Sequence, residues 1–197
     1  ENGTFFTPNP NLSLAVVGLD IPKMTQRGWQ LGAAKPNEFM WTVRQANNWT
    51  SHSASGVNPL NDEWDMIKEC LGGHNLNSVF ISEKKYYATR PDFFPLINGE
   101  RVKPSSKTHR TQLCFTNRDM IAAFKQEFDA QVVRHPTASI YRVMIEDNHD
   151  QCQCEACQAD ITLPDGSVLT AKEPNFYSTR FFLFLNEIAE HTKANHP

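Results

Sequence analysis

Strand-like and helix-like segments alternate at least four times along this chain, and that alternation restricts its fold more than any other feature. Residues 28–31 read as a short strand, and 37–49 as a helix with Phe39, Val43 and Ala46 at helical spacing behind Pro36. A second helix is expected over 62–71, with Asn61 as cap, Trp64, Ile67 and Leu71 on one face and Gly72-Gly73 as its stop. Residues 111–115 read as a strand. Asn117 then caps an amphipathic helix whose Ile121, Phe124, Phe128 and Val132 repeat at three and four residues, until His135-Pro136 ends it. A strand is expected over 139–145, a small hairpin around Pro164-Asp165-Gly166, and a last helix from about Asn175 to Lys193. Residues 86–104, punctuated by Pro91, Pro95, Asn98-Gly99 and Pro104, read as a long loop, and such loops are usually functional.

Successive strand-helix units of this kind wind right-handed around a parallel sheet. The expected class is therefore α/β, a (β/α)8 TIM-barrel-like domain of which the chain covers only part, since a further strand is due near Pro197. Residues 1–26, rich in Asn, Pro and Thr, form a lead-in segment, and 27–197 the N-terminal part of the barrel. An open doubly wound sheet is the alternative.

Composition narrows the partners. With 19 basic and 22 acidic residues and a net charge of −3, the chain carries no basic stripe, so nucleic acid is not an expected partner. No apolar run approaches the roughly 20 residues of a membrane helix.

In a β/α barrel the chemistry sits where strands end, which selects His74, Asn117 and the run Glu146-Asp147-Asn148-His149. Neighbours on a strand face opposite ways, so Glu146 and Asp147 cannot both point into one site. We place Asp147 at the mouth, as an acid, base or stabilising carboxylate, with Glu146 in a structural role; glycoside hydrolysis would need a second carboxylate, expected beyond Pro197. The plainer reading has Asp147 and Asn148 open an Asx turn. His74, which follows Gly72-Gly73, is a candidate for substrate contact or proton transfer, or a histidine satisfied by a backbone carbonyl. Asn148 and His149 at the same place, and the aromatic Tyr86 and Tyr87 along with Trp29 and Trp49, are candidates for binding sugar rings, although most barrel aromatics are packing.

The chain has five cysteines, three of them in the run Cys152-Gln153-Cys154-Glu155-Ala156-Cys157. A structural zinc takes four ligands, and Cys114 at a neighbouring strand end is the expected fourth. One or two disulfides would use the same spacing, so both remain open. A catalytic zinc is disfavoured because it would usually include histidine, and His149 is the sole near neighbour. Cys70 is expected to be a buried, unbonded thiol. No cofactor for catalysis is expected.

Several short motifs in order add a resemblance: Arg27-Gly28, Gly73-His74, the stretch from Arg90 to Leu96 with Asn98-Gly99-Glu100-Arg101, Gln112-Leu113-Cys114, Asp147 with the cysteine run, and Phe184-Leu185-Asn186-Glu187-Ile188-Ala189. Together they resemble the family known as domain of unknown function 4838, secreted bacterial proteins whose barrel is similar to that of α-glucuronidases. The resemblance implies a carbohydrate-active protein, secreted, periplasmic or at the cell surface, acting on an oligosaccharide or polysaccharide. The chain departs from the family pattern where Arg90 precedes Pro91 in place of histidine, and where Glu146 sets a second charge beside Asp147.

Overall fold

The structure is a computed structural model that describes residues 28–32, 49–51, 69–71, 73–104, 111–138 and 140–197. The chain divides into two units, Glu1–Glu69 and Cys70–Pro197. In the first, β1 (Gly28–Gly32) pairs in parallel with β2 (Trp49–Ser51), Gly28 opposite Trp49 and Trp29 opposite Thr50. Parallel neighbours joined by a long connection are what a β-α unit requires. The helix expected over 37–49 lies outside the described residues except at Trp49, which opens a strand instead.

β3 (Glu69–Cys70) ends the first unit and opens the second, in which β6 covers Ile140–Tyr141 and the Arg142 amide donates to the Cys70 carbonyl at 3.3 Å. The helix expected over 62–71 therefore fails at its end, the only part of it that is described. Leu71 at φ 64° and Gly73 at φ 79° cannot continue a right-handed helix, and pairing with 140–142 overrides the apolar spacing. A wide turn, Leu76–Phe80, follows directly, with the Ile81 amide donating to the Leu76 carbonyl at 2.8 Å. Such i→i+5 turns concentrate near functional sites. The expected loop over 86–104 carries more order than its prolines suggest. It follows α1 (Glu83–Tyr86) and contains a tight turn at Pro91–Phe93 and a hairpin of β4 (Leu96–Ile97) and β5 (Glu100–Arg101). Asn98 at φ 52° and Gly99 at φ 84° close that hairpin with both central residues left-handed, as a two-residue loop matched to strand twist demands.

The helix α2 (Arg118–Arg134) forms where expected, the Asn117 Oδ1 accepting from the Met120 amide at 3.0 Å. The cysteine run leads into α3 (Glu155–Gln158), the turn at Gly166 closes β7 (Ile161–Thr162) on β8 (Val168–Leu169), and α4 (Phe176–Asn195) ends the chain. Helix α2 and helix α4 pack their apolar faces over the wide turn: the Phe124 ring lies 4.4 Å from Phe80 and 5.0 Å, edge-on, from Phe184. Edge-on contacts of this kind add to the area buried. Among the described residues every sheet has two strands, and no helix is long and apolar enough to cross a membrane.

Two expected strands mostly lack a ladder among the described residues. Over 111–115 the backbone partners are largely side chains and loops: Asn77 Nδ2 donates to the Thr111 carbonyl, and the Cys114 amide to Phe93 at 2.9 Å. Over 139–145 regular pairing stops after Tyr141, and Asn75 takes the place of a neighbouring strand. Its Nδ2 donates to the Arg142 carbonyl at 2.9 Å, and its Oδ1 accepts from the Met144 amide at 2.9 Å.

Candidate functional site

Four cysteines converge: the ligating sulfurs of Cys114, Cys152, Cys154 and Cys157 all lie within 4.8 Å of one another. Cys114 arrives from the extended 111–115 segment at a reverse turn, where the Asn117 amide donates to the Cys114 carbonyl at 2.9 Å. The other three come from one tight loop, with Cys154 at the start of α3 and Cys157 in its single turn. The Cys114 sulfur is 3.7 Å from those of both Cys154 and Cys157. Sulfurs at about 2.3 Å from a tetrahedral zinc are separated by about 3.8 Å, whereas a disulfide would bring two of them to about 2.05 Å. All five cysteines are unbonded, and Cys114, Cys152 and Cys157 are each 3% exposed. The arrangement can hold a metal ion, and among the described residues it is the one cluster that can.

Polar groups surround the sulfurs. The Leu96 amide donates to the Cys152 sulfur at 3.3 Å, Arg101 Nη1 reaches the same sulfur at 3.8 Å, and Thr116 Oγ1 lies 3.1 Å from that of Cys157. Hydrogen bonds from Cys114 and Cys157 hold the Cys152 thiol well below the usual range, against its burial and with help from the Leu96 and Cys154 amides. Its neighbour Cys157 is pushed up by its bonds to Cys114 and Cys152 and by burial. Burial works to lower the pKa of Arg101, but the sulfurs of Cys114, Cys152 and Cys154 more than offset it and raise the value. Cys70 stands outside the cluster, half-buried, its thiol pushed up to about 11 by burial.

A second constellation joins three chain segments at their ends. His74 Nδ1 lies 2.6 Å from the Ile145 carbonyl, and the Asn77 amide donates to Glu146 Oε1 at 3.1 Å. Gln112 Nε2 donates to the carbonyls of Glu146, at 2.7 Å, and of Asn148, at 3.2 Å. Glu146 is 3% exposed while Asp147 is exposed, so the two carboxylates do not share one dry environment. Asn148 Oδ1 accepts from the Asp150 amide at 3.0 Å, an Asx turn, and His149 is exposed. Asn77 Oδ1, Thr111 Oγ1 and Gln112 Oε1 are buried here with no hydrogen-bond partner.

The structure thus brings His74 to the Ile145–Asn148 stretch. It sets three other expected binding residues apart from that group. Asn117 caps α2, its Nδ2 donating to Asp92 Oδ2 at 2.7 Å. The Tyr86 hydroxyl donates to Glu127 and that of Tyr87 to the Arg101 carbonyl, each at 2.6 Å, and their rings pack 5.5 Å from Phe93 and 5.3 Å from Phe94. Trp29 and Trp49 lie in β1 and β2. Sequence reading missed Asn75, Asn77, Gln112 and Arg101. A glutamine inside the apolar run 111–115 was the signal for Gln112, because a fully buried polar side chain must find partners.

No curated protein and no solved structure matches this chain. The family model described as Domain of unknown function (DUF4838) matches residues 8–197, so the chain belongs to that family.

Proposed function

We propose that the chain is part of a (β/α)8 barrel of a carbohydrate-active protein, a glycoside hydrolase acting on a complex glycan, secreted, periplasmic or at the surface of a bacterium. The observation that carries this reading is the convergence of three segment ends, 74–77, 111–112 and 145–148, through His74, Gln112 and Glu146. Ends of successive segments side by side are where such barrels do chemistry. Asp147 is the exposed carboxylate beside them, as acid, base or stabiliser, with His74, Asn148 and His149 available to substrate.

One observation favours a second reading, a glycan-binding module without catalysis. Glu146 is buried and already accepts the Asn77 amide, so a second catalytic carboxylate has to come from elsewhere in the protein, and a barrel end without one binds glycan and does not cleave it. In the full-length protein, Asp147→Asn is expected to abolish release of reducing sugar from an oligosaccharide panel without lowering the melting temperature. Retained turnover removes Asp147 from the mechanism, and glycan binding by wild type with no product selects the binding module.

The ion of the four-cysteine cluster is, in this proposal, a structural zinc. The sulfur spacing and the all-thiolate donor set fit a closed site, one that clamps the loop following Asp147. Metal analysis of the purified protein tests it, and a chelator is expected to lower stability.

A further inference from the structure

The hairpin of β4 and β5 has two residues in each strand, too few to be stable in isolation. Its order comes from docking: the Tyr87 hydroxyl holds the Arg101 carbonyl on one side, and the cysteine loop holds the Leu96 end. The Gln153 amide donates to the Leu96 carbonyl at 2.7 Å, and the Asn98 amide to Gln153 Oε1 at 2.8 Å. The Leu96 amide donates to the Cys152 sulfur at 3.3 Å, and the Leu96 side chain packs against the cysteine cluster. From the far end of the hairpin Arg101 reaches back: Nη1 donates to the Phe94 carbonyl at 2.6 Å and lies 3.8 Å from the Cys152 sulfur.

Four thiolates around one divalent ion carry a net charge of −2, in a place where three of the cysteines are 3% exposed. A buried charge of that size is costly unless donors and a cation compensate it. Among the described residues, Arg101 is the cation that reaches a cluster sulfur, and the Leu96 amide is a donor to the same one.

We propose that Arg101 is the positioning residue that offsets half of the charge of the four-thiolate centre, and that metal occupancy latches the Leu96–Arg101 hairpin onto the cysteine loop. This rests on the reading of the cluster as a metal centre. A thiophilic divalent ion draws the Cys152 sulfur into the tetrathiolate, and that sulfur is the acceptor for both the Leu96 amide and Arg101. Without the ion nothing fixes the Cys152 sulfur in place, and the hairpin loses the anchored acceptor that the Leu96 amide and Arg101 share.

The test uses the whole chain loaded with zinc, and with cobalt as a spectroscopic probe. Failure of wild type to take up either ion, or cobalt uptake without a sulfur-to-metal absorption band, refutes the metal-centre reading and this latch with it. Given uptake, Arg101→Met is expected to weaken zinc binding about 10- to 100-fold in chelator competition and to shift the cobalt band, as loss of outer-shell partners does. Arg101→Lys recovers part of the loss, and Lys103→Met, which breaks an exposed pair with Glu83, leaves zinc affinity unchanged. In wild type, chelation is expected to accelerate amide exchange at Leu96, Asn98 and Gln153 at least about tenfold while amides within α2 stay protected. Zinc affinity of Arg101→Met within about threefold of wild type would overturn the charge-offsetting role. Should that variant not fold, the exchange measurement on wild type decides alone: unchanged protection of the hairpin on chelation sinks the latch.

Discussion

Replacing Asn75 by leucine removes the side chain that joins β3 and the wide turn to the segment leading to Glu146. Asn75 is 0% exposed, its Nδ2 donates to the carbonyls of Leu71 at 2.6 Å and Arg142 at 2.9 Å, and its Oδ1 accepts from the Met144 amide at 2.9 Å. Leucine has the same branching but is larger and makes none of these three hydrogen bonds, which two carbonyls and one amide therefore lose. Each abandoned buried group costs about 1–3 kcal/mol, and burying the leucine side chain returns about 1.5–3 kcal/mol. The net loss expected is about 2–4 kcal/mol, in the lower part of what three such groups could cost because all three bonds are only partly buried. Urea unfolding reads it as a lowered midpoint at constant slope. Asn75→Asp sharpens the test, since it keeps the shape and the acceptor but sets a carboxylate against two carbonyl oxygens. Such a carboxyl has its folded pKa raised, so the damage is small below an unfolded value near ~3.9 and grows as pH rises above it. If Asn75→Leu lies within about 1 kcal/mol of wild type and Asn75→Asp shows no such pH trend, the bridging role assigned to Asn75 is wrong.

Three further outcomes are expected. Zinc at about a thousand times its dissociation constant should add about 4.1 kcal/mol to the unfolding free energy, an increment lost on chelation and in Cys114→Ser but kept in Cys70→Ser, as thermal melts would show. Asp92 is held down to about 2, first by its hydrogen bonds from Arg90, with a further one from Asn117. A depressed carboxyl pKa adds stability above the unfolded value near ~3.9 that fades as pH falls toward the folded value, and exposure limits it to under ~1 kcal/mol. Asp92→Asn should therefore lower the urea midpoint at pH 7 and match wild type near pH 2; a constant difference would refute the assignment. Phe124→Ala, at a fully buried ring between Phe80 and Phe184, should cost about 3–5 kcal/mol by calorimetry, and a loss under about 1 kcal/mol would remove it from the core.

Local chemistry made some elements legible in advance. Asn117 before a 3–4 apolar repeat marks the start of α2, because an asparagine side chain satisfies an otherwise orphaned amide there. The Pro164-Asp165-Gly166 turn placed the β7–β8 hairpin in the same way, and the helix expected from about Asn175 to Lys193 is α4. The cysteine spacing named the cluster, including Cys114, about 40 residues distant. Where partners are remote, reading from the chain failed. Cys70 follows an amphipathic pattern yet pairs as a strand, and 111–115 and 142–145 look like strands yet bond to the side chains of Asn75 and Asn77.

The sequence by itself determined which residues could be helical, where turns fall, and that four thiols were available to one ion, since these follow from side-chain chemistry within a few positions. Only the tertiary structure decided that Glu146 is buried and Asp147 exposed, that Gln112 and Asn77 brace the segment between them, and that Arg101 faces the sulfurs. Those outcomes depend on groups between 34 and 69 positions apart being brought within hydrogen-bond distance, as the Gln112–Glu146 and Asn77–Glu146 contacts illustrate. No local preference encodes such a meeting, because a buried donor or acceptor is satisfied by whichever partner the packed chain delivers to it.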